Sequence, residues 1–262
     1  MKRIFLLFMI FGAWLLHPGM AGSAEKAGDV VYLKGKAVIE RRAKTVNAKL
    51  KAPLEETDNV ATRDRTRVKM LFRDDSILTL GSNTKLIIKQ YLYNPESKRA
   101  ESIYELADGK LKAVVGGSGF KVTTPTAFAA ARGTVFVIWY DPATDTTGIG
   151  VIEGELEVKN IKEGVEGTLV LKPGQMSLIA GNMPPKPPKP FTPDSGGPGG
   201  GGPASFLGEL FETSEPVVEM PAARIDQIRL DLVERAALIE TPPVLQQPST
   251  VTSVILNLIF PK

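Results

Sequence analysis

Between residues 28 and 182 apolar side chains recur at alternate positions in short runs closed by Gly, Asn, Asp or Pro, and no helical period is sustained. Val68, Met70 and Phe72 alternate with Arg67, Lys69, Leu71 and Arg73, and Asp74 and Asp75 then turn the chain into residues 77–80, which predicts a hairpin. A second unit follows the same plan: a strand over residues 85–93, a turn at 94–96, a strand over 101–107, a turn at Asp108 and Gly109, and a strand over 110–115. Three pentapeptides, residues 35–39, 109–113 and 154–158, share a loose glycine, polar, apolar, polar, apolar pattern at uneven spacing, so they form no strict repeat. Residues 148–158 and 169–175 lead to a closing strand over 176–180. The expected fold class is all-β, a β-roll or solenoid-like sandwich of many short strands, with a plain two-sheet sandwich as the alternative.

Beyond the β region the pattern breaks. Residues 183–204 are dominated by Pro and Gly and have too little apolar surface to fold, which predicts a linker. In residues 205–262 the spacing of Ile225, Ile228, Leu232, Ala236 and Ile239 predicts a short helix over 222–240, stopped at Thr241, Pro242 and Pro243. Val254, Leu256, Leu258 and Phe260 then lie on one side of a terminal strand. One helix and one strand make no core of their own, so this tail docks either on its own β domain or on a partner protein.

The N-terminus adds a location. Lys2 and Arg3, an apolar run over residues 4–16 and small residues at 21–24 have the layout of a signal peptide, with cleavage expected after Ala24. The run is shorter than a membrane-spanning helix needs, so the expected domains are 1–24 signal peptide, 25–182 β domain, 183–204 linker and 205–262 tail. The protein is then periplasmic or secreted, with no stable membrane insertion. If the N-terminus is retained, it is instead a membrane-tethered sensor.

There is no cysteine, which excludes disulfides, lipid attachment and thiolate metal sites, and the one histidine, His17, falls inside the predicted signal. Histidine-based catalysis and the usual zinc sites are therefore not expected, nor is any cofactor. Residues 1–24 contain two of the 32 basic side chains and none of the 29 acidic ones, leaving a net charge near neutrality with no drive toward nucleic acid. Two basic clusters, one of Lys34, Lys36, Arg41, Arg42 and Lys44 and one of Arg63, Arg65, Arg67 and Lys69, read as solvated strand faces.

Residues 119–139 carry the most specific stretch. Thr124 and Pro125 are followed by Arg132, Gly133 and Thr134 and then by a β-branched and aromatic strand. Pro125 suits an edge or bend, and Gly133 a backbone geometry closed to other residues, so Thr124, Pro125 and Gly133 read as structural. Arg132, between apolar segments, is expected to be partly buried against an acidic or carbonyl partner, with Glu153 and Asp141 as candidates. Arg132 and Thr134 either present donors to a ligand or staple two strands. Phe136, Trp139 and Tyr140 read first as core and rim packing, with Trp139 and Tyr140, at a strand end, as the expected exposed exception and the other candidate binding residues. Asp74 with Asp75, and Glu153, Glu155 and Glu157, lack the spacing of a calcium loop and read as solvated strand faces, the three glutamates on one sheet face.

The ordered marks at residues 28–30, at 68–80, from Thr124 and Pro125 to Thr134, and at 151–154 resemble the FecR domain family over residues 28–182. The resemblance implies an extracytoplasmic, all-β and non-enzymatic domain. In founding members that domain belongs to a membrane-spanning sensor that contacts an outer-membrane transporter and controls a sigma factor through a cytoplasmic region. Only three residues precede the apolar run here, so the anti-sigma region is not expected. The reading is an exported binding or scaffold protein of the cell envelope with a protein partner or ligand, possible envelope signalling, and no enzyme activity. The alternative is a polysaccharide-binding module or carboxylate-based glycan hydrolase using Trp139, Tyr140 and the glutamates.

Overall fold

The computed structural model describes residues 25–191 together with 207, 208, 210 and 211. The expected signal peptide, the C-terminal helix and the terminal strand lie outside the described residues, as does the whole of a second unit at Val217–Lys262. The described chain forms β1 (Lys26–Lys34), β2 (Ala37–Arg41), β3 (Lys44–Asn47), β4 (Pro53–Glu55), β5 (Asn59–Thr62), β6 (Arg67–Phe72), β7 (Ile77–Leu80), β8 (Lys85–Asn94) and β9 (Arg99–Val114). It continues with β10 (Gly119–Thr123), β11 (Ala127–Ala131), β12 (Val135–Asp141), β13 (Thr146–Glu153), β14 (Leu156–Asn160), β15 (Thr168–Leu171), β16 (Gln175–Ala180) and β17 (Lys189–Pro190). The all-β expectation holds, and among the described residues no helix is long and apolar enough to cross a membrane.

The strands pair into two ladders. One runs β4, β1, β6, β7, β9, β12, β13, β16, β17, and the other β3, β2, β5, β8, β9, β10, β11, β14, β15. Only β9 with β10 is parallel. Strand β9 belongs to both: its first half pairs with β8 and β10, and from Gly109 onward it pairs with β7 and β12. Asp108 and Gly109 are therefore not a turn separating two strands, as expected from their residue types. They are a bend at which one continuous strand leaves one sheet and enters the other.

The same corner is built three times. Gly35, Gly109 and Gly154 have φ of 91°, 84° and 77°, and each stands where the chain changes sheet. Opposite each is a buried threonine, Thr66, Thr84 or Thr134, preceded by a residue that itself has positive φ: Arg65 at 51°, Asn83 at 52° and Gly133 at 63°. The threonine hydroxyl bonds the backbone just after the glycine. Lys36 N donates to Thr66 Oγ1 at 2.9 Å, Lys110 N donates to Thr84 Oγ1 at 3.0 Å, and Thr134 Oγ1 donates to Glu155 O at 2.9 Å. A bend breaks the ladder and leaves main-chain groups without strand partners, and these hydroxyls satisfy them. The three loosely similar pentapeptides are these corners.

The inner faces of the two sheets share one core, with Met70, Phe72, Leu78 and Phe136 from one and Val60, Ile88, Tyr104, Phe120 and Val158 from the other. A run of rings crosses it: Tyr91 to Phe72 at 5.5 Å, Phe72 to Tyr104 at 5.4 Å, Tyr104 to Phe120 at 4.8 Å and Phe120 to Phe136 at 5.8 Å. Such pairs add roughly 0.5–1.5 kcal/mol each beyond the area they bury.

Several charges expected on solvated faces are engaged instead. Asp74 is buried; it accepts from Tyr91 Oη at 2.9 Å and Ser76 Oγ at 2.9 Å, so it closes the β6–β7 turn onto the core. Burial, then the Asp74 charge, pushes the Tyr91 hydroxyl well above its ordinary value. Arg67 is buried, stacks 5.0 Å from the Tyr32 ring centre and donates to its hydroxyl. Arg41 donates to Asp58, which is fully buried, and to Glu55. Glu153 ends β13 in one sheet and Glu157 lies in β14 of the other, so the three glutamates are exposed but do not share a sheet face.

Part of the segment expected as linker packs on the domain. Lys186 N donates to Leu178 O, Ser177 Oγ donates to Lys186 O, Lys189 and Pro190 pair with β16 as β17, and Phe191 N donates to Gly174 O. Proline lacks a donor but not a carbonyl, and the lysines between prolines supply amides, which is enough for a sheet edge.

An added Cβ at Gly109 would stand 2.4 Å from Thr84 Oγ1 and 2.5 Å from Thr84 Cα, whereas at Gly164, φ 78°, it would meet nothing within 4 Å. Gly109→Ala should cost about 2–5 kcal/mol from strain plus overpacking, and Gly164→Ala about 1 kcal/mol from backbone strain alone. Urea unfolding followed by circular dichroism measures both, and equal losses would show that corner packing is not the cause.

Candidate functional site

The most specific motif of the sequence is consumed by architecture at its two ends. Thr124, Pro125, Thr126 and Ala127 make the tight turn between β10 and β11, with Thr124 N donating to Ala127 O at 2.8 Å and Pro125 exposed at the tip. Thr124 and Thr126 are buried beneath it and both hydrogen-bond the Thr147 hydroxyl, at 2.6 and 2.7 Å. Thr126 Oγ1 also donates to Ile179 O at 3.1 Å, so three threonines tie the turn of one sheet to β13 and β16 of the other. At the motif's other end Gly133 and Thr134 form the third corner.

Arg132 is not partly buried as expected, but it has a backbone carbonyl partner, one of the two kinds expected. It is exposed, and its Nε donates to Gly117 O at 3.1 Å; no hydrogen bond or ion pair to Glu153 or Asp141 is formed. The flanking apolar residues alternate inward while Arg132, at the corner, points outward. Tyr140, half-buried at the end of β12, donates to Asp145 Oδ1 at 3.0 Å, and Lys162 Nζ donates to Asp145 Oδ2 at 3.2 Å. These donors, Tyr140 first, hold the Asp145 carboxyl below its usual range, and partial burial with that bond raises the Tyr140 hydroxyl.

Trp139 was expected to be exposed and is 3% exposed. It lies on the outer face of the first sheet, opposite the core, with Val137 beside it on β12. Register places Trp139, Gly148 and Leu178 in one row across β12, β13 and β16, and Val137, Gly150 and Met176 in the next. Each row is a large residue, a glycine and a large residue, which leaves a trough along β13. The Trp139 ring fills it at Gly148, where an added Cβ would come within 2.0 Å of the indole, and the Phe191 ring fills it at Gly150, at 2.8 Å. Leu207, Leu210 and Phe211 complete the cover, and Lys112 Nζ lies 4.5 Å from the Phe211 ring centre.

The structure thus brings Thr124, Pro125, Gly133 and Thr134 into turn and corner, leaves Arg132 and Tyr140 accessible, and places Trp139 under a second apolar cluster. A stacking platform for sugars is not open at Trp139. Among the described residues no three His, Cys, Asp or Glu side chains come together to hold a metal ion. Sequence reading missed the trough; its signal was the pair of glycines two apart inside a strand, which marks close approach by another group.

Residues 58–157 match the family described as FecR protein. The chain is also similar to two crystal structures of candidate anti-sigma factors from Parabacteroides distasonis ATCC 8503. The one at 2.50 Å resolution is 17% identical with a TM-score of 0.38, over 47% of this chain and 54% of that one, so this chain spans about half its length. The one at 1.65 Å resolution is 14% identical with a TM-score of 0.43, over 67% of this chain and 74% of that one. No curated protein matches the chain.

Thr134→Val should cost about 1 kcal/mol, because Glu155 O loses its hydroxyl donor at a part-buried corner, whereas Arg132→Ala should stay within about 0.5 kcal/mol. Parallel denaturant titrations decide this, and the reverse order would make Arg132 the structural member of the pair.

Proposed function

The chain carries a FecR-type segment at residues 58–157, and on that basis we propose that it is an exported recognition scaffold of the cell envelope, without catalytic activity, that binds a protein partner. The observation that carries this reading is how the motif residues are used. Thr124, Thr126 and Thr134 are buried and bonded to backbone or to one another, which serves shape and leaves no nucleophile and base in contact. What the scaffold offers a partner is its accessible rim.

Arg132 is the donor most available there, anchored through one nitrogen to Gly117 O with the rest of its guanidinium turned to solvent. Tyr140, with Asp145 and Lys162, supplies a second polar contact at the far end of β12. Thr134 and Trp139 act indirectly in this reading, by holding the corner and the sheet face that carry those two side chains. The signal peptide reading of residues 1–24 places the scaffold outside the cytoplasm.

A photo-crosslinking residue placed at Arg132 or Tyr140 in intact cells should trap one recurrent envelope protein, and mass spectrometry of the exported chain should find its N-terminus near Glu25. Adducts at neither position would remove this rim as the recognition surface, and a retained N-terminus would make the protein a tethered sensor.

A further inference from the structure

The outer face of β12, β13 and β16 has a construction that the proposed function does not account for. Glycine weakens a strand, because it gives up more freedom on folding and has no side chain to pack. Two glycines at alternate outward positions of β13 therefore cost stability unless something fills the space above them. Without a cover, Val137, Trp139, Ile152, Met176 and Leu178 would form a contiguous exposed apolar patch, of the kind that marks an interaction site.

The cover comes from one chain segment. After Phe191, residues 192–206 are mostly Gly, Pro, Ser and Thr and contribute only Ala204 and Phe206 as apolar side chains. Leu207, Leu210 and Phe211 then follow at intervals of three and four, the spacing that puts side chains on one face of a helical turn. Leu210 N donates to Leu207 O and Phe211 N to Gly208 O, both at 2.9 Å, so the segment is turned in this sense where it meets the sheet. Short apolar faces of this spacing are a recurring way for peptides to bind grooves.

We infer that this trough is a docking groove for a Leu-x-x-Leu-Phe segment, and that the chain's own Leu207, Leu210 and Phe211 are its resident occupant in cis. Phe191 already lies in the groove, and the fifteen residues from 192 to 206 can span up to about 50 Å, so the connection to Leu207 is easily made within one chain. Attachment to the same chain also raises the segment's local concentration, so a few apolar contacts suffice to keep it bound while leaving it displaceable. The groove is then a self-covered site whose exposure depends on release of this segment. The inference stands apart from the proposed recognition at Arg132 and Tyr140.

Trp139 reports the groove directly, since Trp14→Phe leaves it the only indole in the full chain. In that background Leu210→Asp with Phe211→Asp should shift Trp139 emission to longer wavelength with circular dichroism unchanged. A synthetic peptide of residues 204–214 should then reverse the shift saturably, and should do so at much lower concentration than any effect on the unsubstituted segment. Unchanged emission in the double variant overturns the inference, as does a native-like variant whose shift the peptide cannot reverse. A parent chain that sediments as a dimer, dissociated by the same substitutions, would assign the groove to a second copy's segment and overturn occupancy in cis. Should the double variant not fold, Phe211→Ala, which removes one ring without adding charge, reads the same shift and the same peptide reversal at smaller amplitude.

Discussion

A threonine hydroxyl bonded to the backbone just past a left-handed glycine is the constraint on which the rest of this protein depends. Each time the chain passes from one sheet to the other at Gly35, Gly109 or Gly154, the ladder is broken and polar main-chain groups lose their strand partners. Thr66, Thr84 and Thr134 meet them from the opposite strand. An unsatisfied buried polar group costs about 1–3 kcal/mol, a figure that applies in full to the buried bond at Lys110 and in part to the part-buried bonds at Lys36 and Glu155, against the roughly 5–15 kcal/mol by which domains are stable. Gly109 matters most among them, because β9 is the strand common to both sheets.

With the corners in place, the two inner faces can share a core and the run of rings from Tyr91 to Phe136 can cross between sheets. The polar groups that accompany this core are held to it by specific bonds: Asp74 by Tyr91 and Ser76, Asp58 by Arg41, and Thr147 by Thr124 and Thr126. The residues of the sequence's most specific motif are thus mostly the residues that fold it. The recognition we propose falls to surfaces that this frame holds out, at Arg132 and Tyr140 on either end of β12, and the docking we infer falls to the outer face above Gly148 and Gly150.

How much of this was legible in the sequence follows from the range of the interactions. The hairpin of β6 and β7 was readable because alternation and turn residues are local. The three glycine pentapeptides were visible as a pattern, but half of the device was not. Arg65, Asn83 and Gly133 share a positive φ rather than a residue type, so the threonines that follow them carry no common signature. Asp108 with Gly109 read as a turn separating two strands because the same residues serve a bend within one strand, and only pairing partners distinguish the two. Trp139 was misread for a longer-range reason: its cover, Phe191 and Leu207 to Phe211, lies more than fifty residues further along the chain. Arg67 and Asp74 looked solvated because charge predicts exposure until a buried tyrosine is found to face each of them.

Native-state hydrogen exchange at the amides of Lys36 and Lys110 tests the corner mechanism most directly. Both amides sit at bends, outside ordinary ladder pairing, and each donates to a buried threonine hydroxyl. If the corners hold the two sheets together, both exchange only through global opening, with a free energy equal to that of denaturant unfolding. Rapid exchange of either amide in an otherwise protected domain would show that the corners open independently, and would contradict the account.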